Sequence, residues 1–381
     1  MTSYRNFHSL LTIVTIVSIF MIIASLASKT LSLSSVISYP NTSALQLSKN
    51  VSTFAGETDG NQDGSLANAR FANLLGMCID YGIDGDTIYV TDSINKNIRK
   101  ITPSGNVTTL VSNLTYEPTL IVIDPKTKNL FFCESEGGED SGNVVQRICK
   151  RTPEGIITTF AGSTGGYVNG QGTSAKFYQI SGIAIAEDGT LFVSDLFNHV
   201  IRKVTSTGLV STFAGTGVPG NLNASTPLQA TFYAPAGIML TKEGDIIVTD
   251  FINNNVRKIS KNGIVTTIAG YTGATSLGEY NSEESARYVD GNGSSARFKG
   301  IALGAIDKDG NIVVNDAFNY RIRLIKLNGD VSTIAGSGVQ GYADGNGTSA
   351  QFASLTGIAL GNSSNYILVS DPLNKRIRKI V

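Results

Sequence analysis

From Val51 onward, short runs of alternating apolar and polar residues are separated by clusters of glycine, serine and aspartate. The clearest run is β-branched and ends in small residues. It stands as VSTFAG at Val51, VTTLVS at Val107, ITTFAG at Ile157, VSTFAG at Val210, VTTIAG at Val265 and VSTIAG at Val331. Successive copies begin 56, 50, 53, 55 and 66 residues apart, a period of about 55. That period is too long for a leucine-rich or helical solenoid unit and suits four strands per repeat. Repeat three shows the internal order. An apolar run, SGIAIA (residues 181–186), meets an EDG turn, then the alternating LFVSD (191–195), then VIRKV (200–204), and an STG turn opens the next VSTFAG. Four short strands joined by glycine-containing turns make a β-meander. No stretch after Pro40 carries a helical period, so helices should be scarce.

Meanders of this kind arranged radially predict an all-β, six-bladed β-propeller of four-stranded antiparallel blades. The last copy stops at IRKIV (377–381) without its VSTFAG run, and the first VSTFAG precedes any complete copy. The N-terminal strand should therefore close the last blade, which removes an exposed sheet edge.

Ahead of the propeller (51–381), residues 1–27 carry Arg5, an apolar run over 10–24 and small residues at Ser25 and Ala27. A charged start, an apolar middle and a small-residue exit read as a secretory signal. The apolar stretch also reaches the lower edge of a bilayer span, so an apolar anchor helix or a buried core helix stay open. Residues 28–50 are rich in Ser, Thr and Leu and read as a linker. The expected location is the secretory pathway, extracellular or anchored to a membrane through the N-terminal segment.

The second and third strands carry D-x-x-N-x-x-[IV]-R. It stands as Asp92, Asn95, Ile98, Arg99; as Asp195, Asn198, Ile201, Arg202; as Asp250, Asn253, Val256, Arg257; as Asp316, Asn319, Ile322, Arg323; and as Asp371, Asn374, Ile377, Arg378. This pattern resembles the NHL repeat, and Asn198-His199-Val200 is its closest copy of the Asn-His-Leu core. The resemblance covers residues 51–381 and implies a six-bladed propeller. It implies no single activity, because the fold hosts enzymes, RNA binders, sensors and adhesion modules. Repeat two departs: Glu134 takes the Asp position, the loop 135–142 is longer, and VVQRICKRT leaves the Arg register open.

A residue pair at one spacing in five blades is better explained by architecture than by catalysis. The same holds for the phenylalanines of A-x-F (Phe71, Phe177, Phe298, Phe352, with Phe232 in ATF), expected to pack between blades. Asp59-Gly-Asn-Gln-Asp63-Gly64 matches the first half of an EF-hand calcium loop, but Arg70 stands where the bidentate Glu belongs. With comparable stretches at Asp290 and Asp344, these read as inter-blade turns. Glu134, Glu136, Glu139 and Asp140 make an acidic loop that is solvated by default.

Composition narrows the chemistry. Two histidines (His8 and His199) exclude the zinc site of amidating lyases, and 30 Lys+Arg against 30 Asp+Glu offer no basic face for nucleic acid. No catalytic, cofactor or metal residue is assigned. The expectation is a binding module for an unknown protein or ligand, using the face that carries the acidic loop and the insertion at 271–288. The alternative is a calcium-assisted, lactonase- or esterase-like hydrolase in the central channel, with Asp80 and Glu117 near the inner strands. Cys133 and Cys149 lie on facing strands of one hairpin and could bridge, leaving Cys78 buried and free. Eight N-x-[ST] sequons, at Asn41, Asn50, Asn106, Asn113, Asn223, Asn292, Asn346 and Asn362, are candidate glycosylation sites.

Overall fold

A computed structural model describes residues 49–136, 144–272, 288–362 and 365–381. The expected signal or anchor, nearly all of the linker, Asn41, Glu139, Asp140 and most of the 271–288 insertion lie outside the described residues.

The described chain forms six antiparallel sheets in sequence order around a ring. Blade one consists of Leu74–Gly82, Gly85–Asp92, Asn97–Ile101 and Asn106–Val111, counted from the inner strand outward. Blade two consists of Glu117–Ile123, Leu130–Glu136, Val145–Arg151 and Ile157–Thr164. Blade three consists of Ile180–Ile185, Leu191–Asp195, Val200–Val204 and Leu209–Ala214. Blade four holds Pro235–Leu240, Ile246–Asp250, Asn255–Ile259 and Val265–Gly270, and blade five Ile301–Ile306, Ile312–Asp316, Arg321–Ile325 and Asp330–Ala335. Blade six joins Ile358–Leu360, Ile367–Asp371 and Arg376–Ile380 to Asn50–Ala55 from the start of the ring. This last strand closes the propeller, with Val51 opposite Ile380 and Thr53 opposite Arg378. Among the described residues no helix is long and apolar enough to cross a membrane.

Alternation along each strand sends side chains to both sheet faces, so every blade is sandwiched between two neighbours. One apolar cluster joins Phe71, Leu74 and Val90 of the first blade to Ala359, Leu368 and Ile377 of the last. All five A-x-F phenylalanines are fully buried in such inter-blade clusters. Burying one such ring stabilises by about 1.5–3 kcal/mol, so the ring of clusters is the main source of cohesion. Towards the axis the inner strands approach so closely that a Cβ on Gly182 would stand 2.2 Å from the Ala236 carbonyl oxygen.

The connectors do more than turn between blades. After leaving one outer strand, the chain crosses the outer edge of the next blade before it dives to the axis. Gly64–Ser65, Gly170–Gln171, Gly291–Asn292 and Gly345–Asn346 each add a two-residue fifth strand there, and Ala224 bridges Val265 in blade four. Four of the six sheets are thus five-stranded rather than four-stranded, because an unpaired outer strand would leave its amide groups without partners. Blade two has no such cap among the described residues: its connector spans only residues 112–116.

The expected Cys133–Cys149 bridge is absent, and the register explains why. Cys133 lies opposite Ile148 while Cys149 lies opposite Phe132, so the two thiols project from opposite faces of the sheet. Cys133 packs toward blade three and Cys149 toward blade one. All three cysteines are free and buried.

Candidate functional site

Each regular blade is organised around one buried arginine. Arg202 donates from Nη1 to Asp195 at 2.7 Å and to the Lys176 carbonyl at 3.0 Å. Its Nη2 donates to Asn169 Oδ1 at 2.7 Å and to the Val168 carbonyl at 3.0 Å. Phe177 lies against the guanidinium, 5.2 Å from centroid to carbon. Asn198 completes the node by donating to Asp195 at 2.8 Å. The same pairing recurs at Arg99–Asp92, Arg257–Asp250, Arg323–Asp316 and Arg378–Asp371, at 2.7–3.3 Å. A second partner comes from the connector: Asp63, Asn223, Asp290 and Asp344 hold the other side of each guanidinium. The aspartate of the calcium-like stretch is therefore an arginine acceptor. The five arginines and their turn aspartates touch no solvent and cannot meet a substrate. Burial pushes Asp195 and Asp250 up to about 6, against the opposing pull of their arginines and asparagine donors.

Blade two replaces this node. The register places Cys149, not an arginine, at the Arg position, while Arg147 stands two residues earlier, directly opposite Glu134. Arg147 holds the buried Glu134 at 2.6 Å and lies over Tyr116 at 4.6 Å. The Cys149 thiol donates to the same carboxylate at 3.1 Å. Burial, and next the Glu134 charge, push that thiol up to about 12, so it stays protonated. With the connector shortened, this blade has neither the acceptor nor the phenylalanine that a central arginine needs.

Above the nodes, the turns between second and third strands and the ends of the connectors crowd one mouth of the channel. Short 3₁₀ turns at Leu196–Asn198, Ala317–Asn319 and Pro372–Asn374 end in left-handed His199, Tyr320 and Lys375. Of these, His199 and Lys375 reach across to the next blade, as does the left-handed Asn254 in blade four. His199 Nδ1 accepts the Ala234 amide at 3.1 Å, Asn254 Oδ1 accepts that of Gly300 at 2.6 Å, and Lys375 Nζ donates to the Ala72 carbonyl at 2.5 Å. Accepting at Nδ1 requires the His199 proton on Nε2, and burial lowers its pKa to about 4. His199 thus serves as a neutral latch between blades.

The tips of these turns divide the mouth into two arcs. Over blades three to five, Tyr178 packs at a tilt against Phe197 (5.3 Å), and His199 meets Tyr233 (5.4 Å) and Phe251 meets Phe318 (5.5 Å) edge to face, around a seam of Leu196, Ala234 and Ile252. Over blades six, one and two the groups are charged. Lys375 lies 3.7 Å from Asp59, Lys96 lies 3.7 Å from Glu136, and Glu117 accepts the Ser93 hydroxyl at 3.1 Å. Leu373 (45% exposed) and Ile94 (38%) rise among them. The aromatic arc went unread in the sequence because each blade gives it one or two residues of varying identity.

The channel residues considered for a hydrolase do not converge. Glu117 begins its inner strand at this mouth, whereas Asp80 lies toward the far end of its own, paired with Lys128 at 2.7 Å. Of the acidic loop, Glu134 is the buried partner of Arg147 and Glu136 is exposed. The seven sequon asparagines within the described residues are all exposed. Asn223, however, holds Arg257, and Asn292 and Asn346 are cap residues, so these three follow from the repeat itself.

No protein-family model matches the chain. It is 24% identical over 347 residues to NHL repeat-containing protein 2 of Bos taurus, a match covering 86% of this chain and 41% of the relative. Five Asp–Asn–Arg nodes, one in each regular blade of a six-bladed propeller, agree with that relative's name. The chain is an NHL-repeat propeller. It is also 30% identical over 178 residues to Protein SUPPRESSOR OF QUENCHING 1, chloroplastic, of Arabidopsis thaliana, covering 45% of this chain and 16% of that one. The NHL propeller thus spans well under half the length of either curated relative. Among solved structures it resembles a structural genomics protein of unknown function from Bacteroides thetaiotaomicron (TM-score 0.65, 21% identity, 87% of this chain and 75% of that one). A gluconolactonase from Xanthomonas campestris shares the fold more loosely (TM-score 0.52, 9% identity, 86% of this chain and 96% of that one).

Proposed function

We propose that this NHL propeller is a non-catalytic binding module that takes a protein or ligand on the two-arc mouth. The observation that carries the reading is the exposure of apolar turn tips around one opening. Leu373, Ile94 and Tyr178 face solvent there, although the ring beneath them is closed and needs no such residues for cohesion. Apolar side chains gathered on a rigid face mark interaction sites, and turns on a fixed scaffold are where such sites arise. The aromatic arc would take an apolar or planar part of the partner, and the charged arc would orient it. A secretory route belongs to the same proposal. It is supported by the Arg5 start, the apolar run over 10–24, and exposed sequons at Asn50, Asn106, Asn113 and Asn362.

The test compares Tyr178→Ser/Phe197→Ser with Leu327→Ser, an exposed apolar residue on a turn between third and fourth strands, at the opposite face. Immobilised wild type incubated with medium and membranes of the native cell should retain a specific partner. The double variant should lose it by at least about tenfold and the control should keep it. Equal capture by both variants, or calcium-dependent lactone or ester turnover lost in Asp80→Asn, would overturn the reading. Endoglycosidase treatment of the native protein should lower its mass; an unmodified protein retaining Met1 would refute the secretory part.

A further inference from the structure

We propose that the outer edge of blade two is a strand-accepting site for an extended segment of another polypeptide, one of the form Asp/Asn-Gly-polar. The other five blades show what this edge ordinarily carries. In blade four the Val265 amide and carbonyl both point outward and bond Ala224, at 2.8 and 3.2 Å. Gly64–Ser65, Gly170–Gln171, Gly291–Asn292 and Gly345–Asn346 occupy the equivalent edge elsewhere, opposite Val107, Val210, Val331 and Val51. Just before each pairing glycine stands Asp63, Asn169, Asp290 or Asp344, whose side chain also meets the threonine two residues farther along the outer strand. Asp63 accepts from the Thr109 amide at 3.0 Å and its hydroxyl at 2.9 Å, and Asp290 takes both groups of Thr333 at 3.1 Å.

In blade two the equivalent residues are Ile157 and Thr159. No described residue pairs with this edge. Ile157 is 39% exposed, whereas Val51, Val107, Val210, Val265 and Val331 are at most 4% exposed. Ile156 beside it is 61% exposed. By strand alternation the Ile157 amide and carbonyl and the Thr159 amide point outward, as their counterparts do. Each resident cap serves its own blade, so the described chain has none to spare for this one. The edge therefore offers what an added strand needs: outward main-chain donors and an acceptor, an apolar residue to cover, and a threonine awaiting a carboxylate or carboxamide. The four resident caps that pair through glycine define the chemistry of the occupant, and Ala224 takes that place in the fifth. This site lies on the rim and is independent of the mouth.

The experiment is hydrogen exchange on the full chain, with and without a synthetic peptide of residues 288–298 (YVDGNGSSARF), which copies the cap of blade five. Without peptide, the Ile157 and Thr159 amides should exchange far faster than Val331 and Thr333, whose cap pairs with the strand and accepts the threonine amide. Excess peptide should slow them by at least about tenfold, a scrambled peptide should not, and Ile157→Lys should abolish the effect. Because Ile157 is already exposed, that variant keeps the fold, which the unchanged protection of Val210 would show. Three results would overturn the proposal: protection in the dilute chain alone, meaning its own residues cover the edge; protection rising with protein concentration, meaning a second copy does; or equal slowing by the scrambled peptide.

Discussion

Blade two and blade three are built on the same strand order yet are held together differently. In blade three an arginine is clamped between the turn aspartate, a connector asparagine and a phenylalanine, and the connector continues as a fifth strand. In blade two the connector is short, the fifth strand is missing, and the arginine has moved to a half-buried place beside Glu134, leaving a cysteine at its old position. Arginine, connector acceptor, phenylalanine and edge cap therefore behave as one unit that is kept or lost together. In each node the two Nη groups of the guanidinium make four bonds and Nε has no partner among the described residues, so a dry blade holds the arginine only while those four acceptors are present.

The largest effect should come from breaking the node. Arg202→Met leaves Asp195 buried without its cation, and should lower stability by about 3–5 kcal/mol in denaturant unfolding, with a fall in melting temperature. Arg147→Met leaves the buried Glu134 with the Cys149 thiol as donor and should lower it by less, about 2 kcal/mol, because water can reach the place of the part-exposed guanidinium. Equal losses would mean that blade two is no exception. The edge gives a second contrast. Val210→Ala, beneath its cap, should lower stability by about 2 kcal/mol and Ile157→Ala by less than about 0.5 kcal/mol. A comparable loss at Ile157 would show that something covers it.

The smallest contrast is in pH. His199 has its pKa depressed on folding, so its contribution is present above the ordinary value of 6.5 and is lost as pH falls through about 4. The buried aspartates act in the opposite sense: raised to about 6, they favour folding most below their ordinary value and less as pH rises through 6. Comparison with His199→Asn separates the two, since asparagine can accept the Ala234 amide as Asn254 accepts that of Gly300. Wild type should lose about 1 kcal/mol relative to the variant between pH 6.5 and 4, a figure reduced for partial solvent screening. Parallel pH profiles would remove His199 from its latch.

Much of this was legible in the chain. The recurring β-branched run located the blades, its absence at the end located the closing strand, and D-x-x-N-x-x-[IV]-R located one side of every node. The other side was hidden because Asp63, Asn169, Asn223, Asp290 and Asp344 alternate between two residue types and lie some 34 residues before the arginine. A signal existed, since four of them stand eight residues before the A-x-F phenylalanine. The disulfide expectation failed because a one-residue offset reverses the face of a strand, and with Arg147 and Arg151 present but no arginine at the motif position, repeat two left its register open. The uncapped edge was announced by the shortest spacing, 50 residues, and by a missing A-x-F before Glu117.

The closing strand also sets the timing of biosynthesis. Asn50 and Val381 exchange both backbone hydrogen bonds at 3.0 Å, yet they lie at opposite ends of the ring's sequence. At ordinary translation rates of about 5–20 residues per second, the strand around Val51 waits roughly 15–65 s for its partner to be made. During that interval the early blades can pack on one another, but the first blade lacks its neighbour and the cluster around Phe71 stays half-built. The nascent chain is therefore an open arc with two sticky ends. Nascent-chain proteolysis should show protection of blade one arriving only after Ile380 has cleared the ribosome.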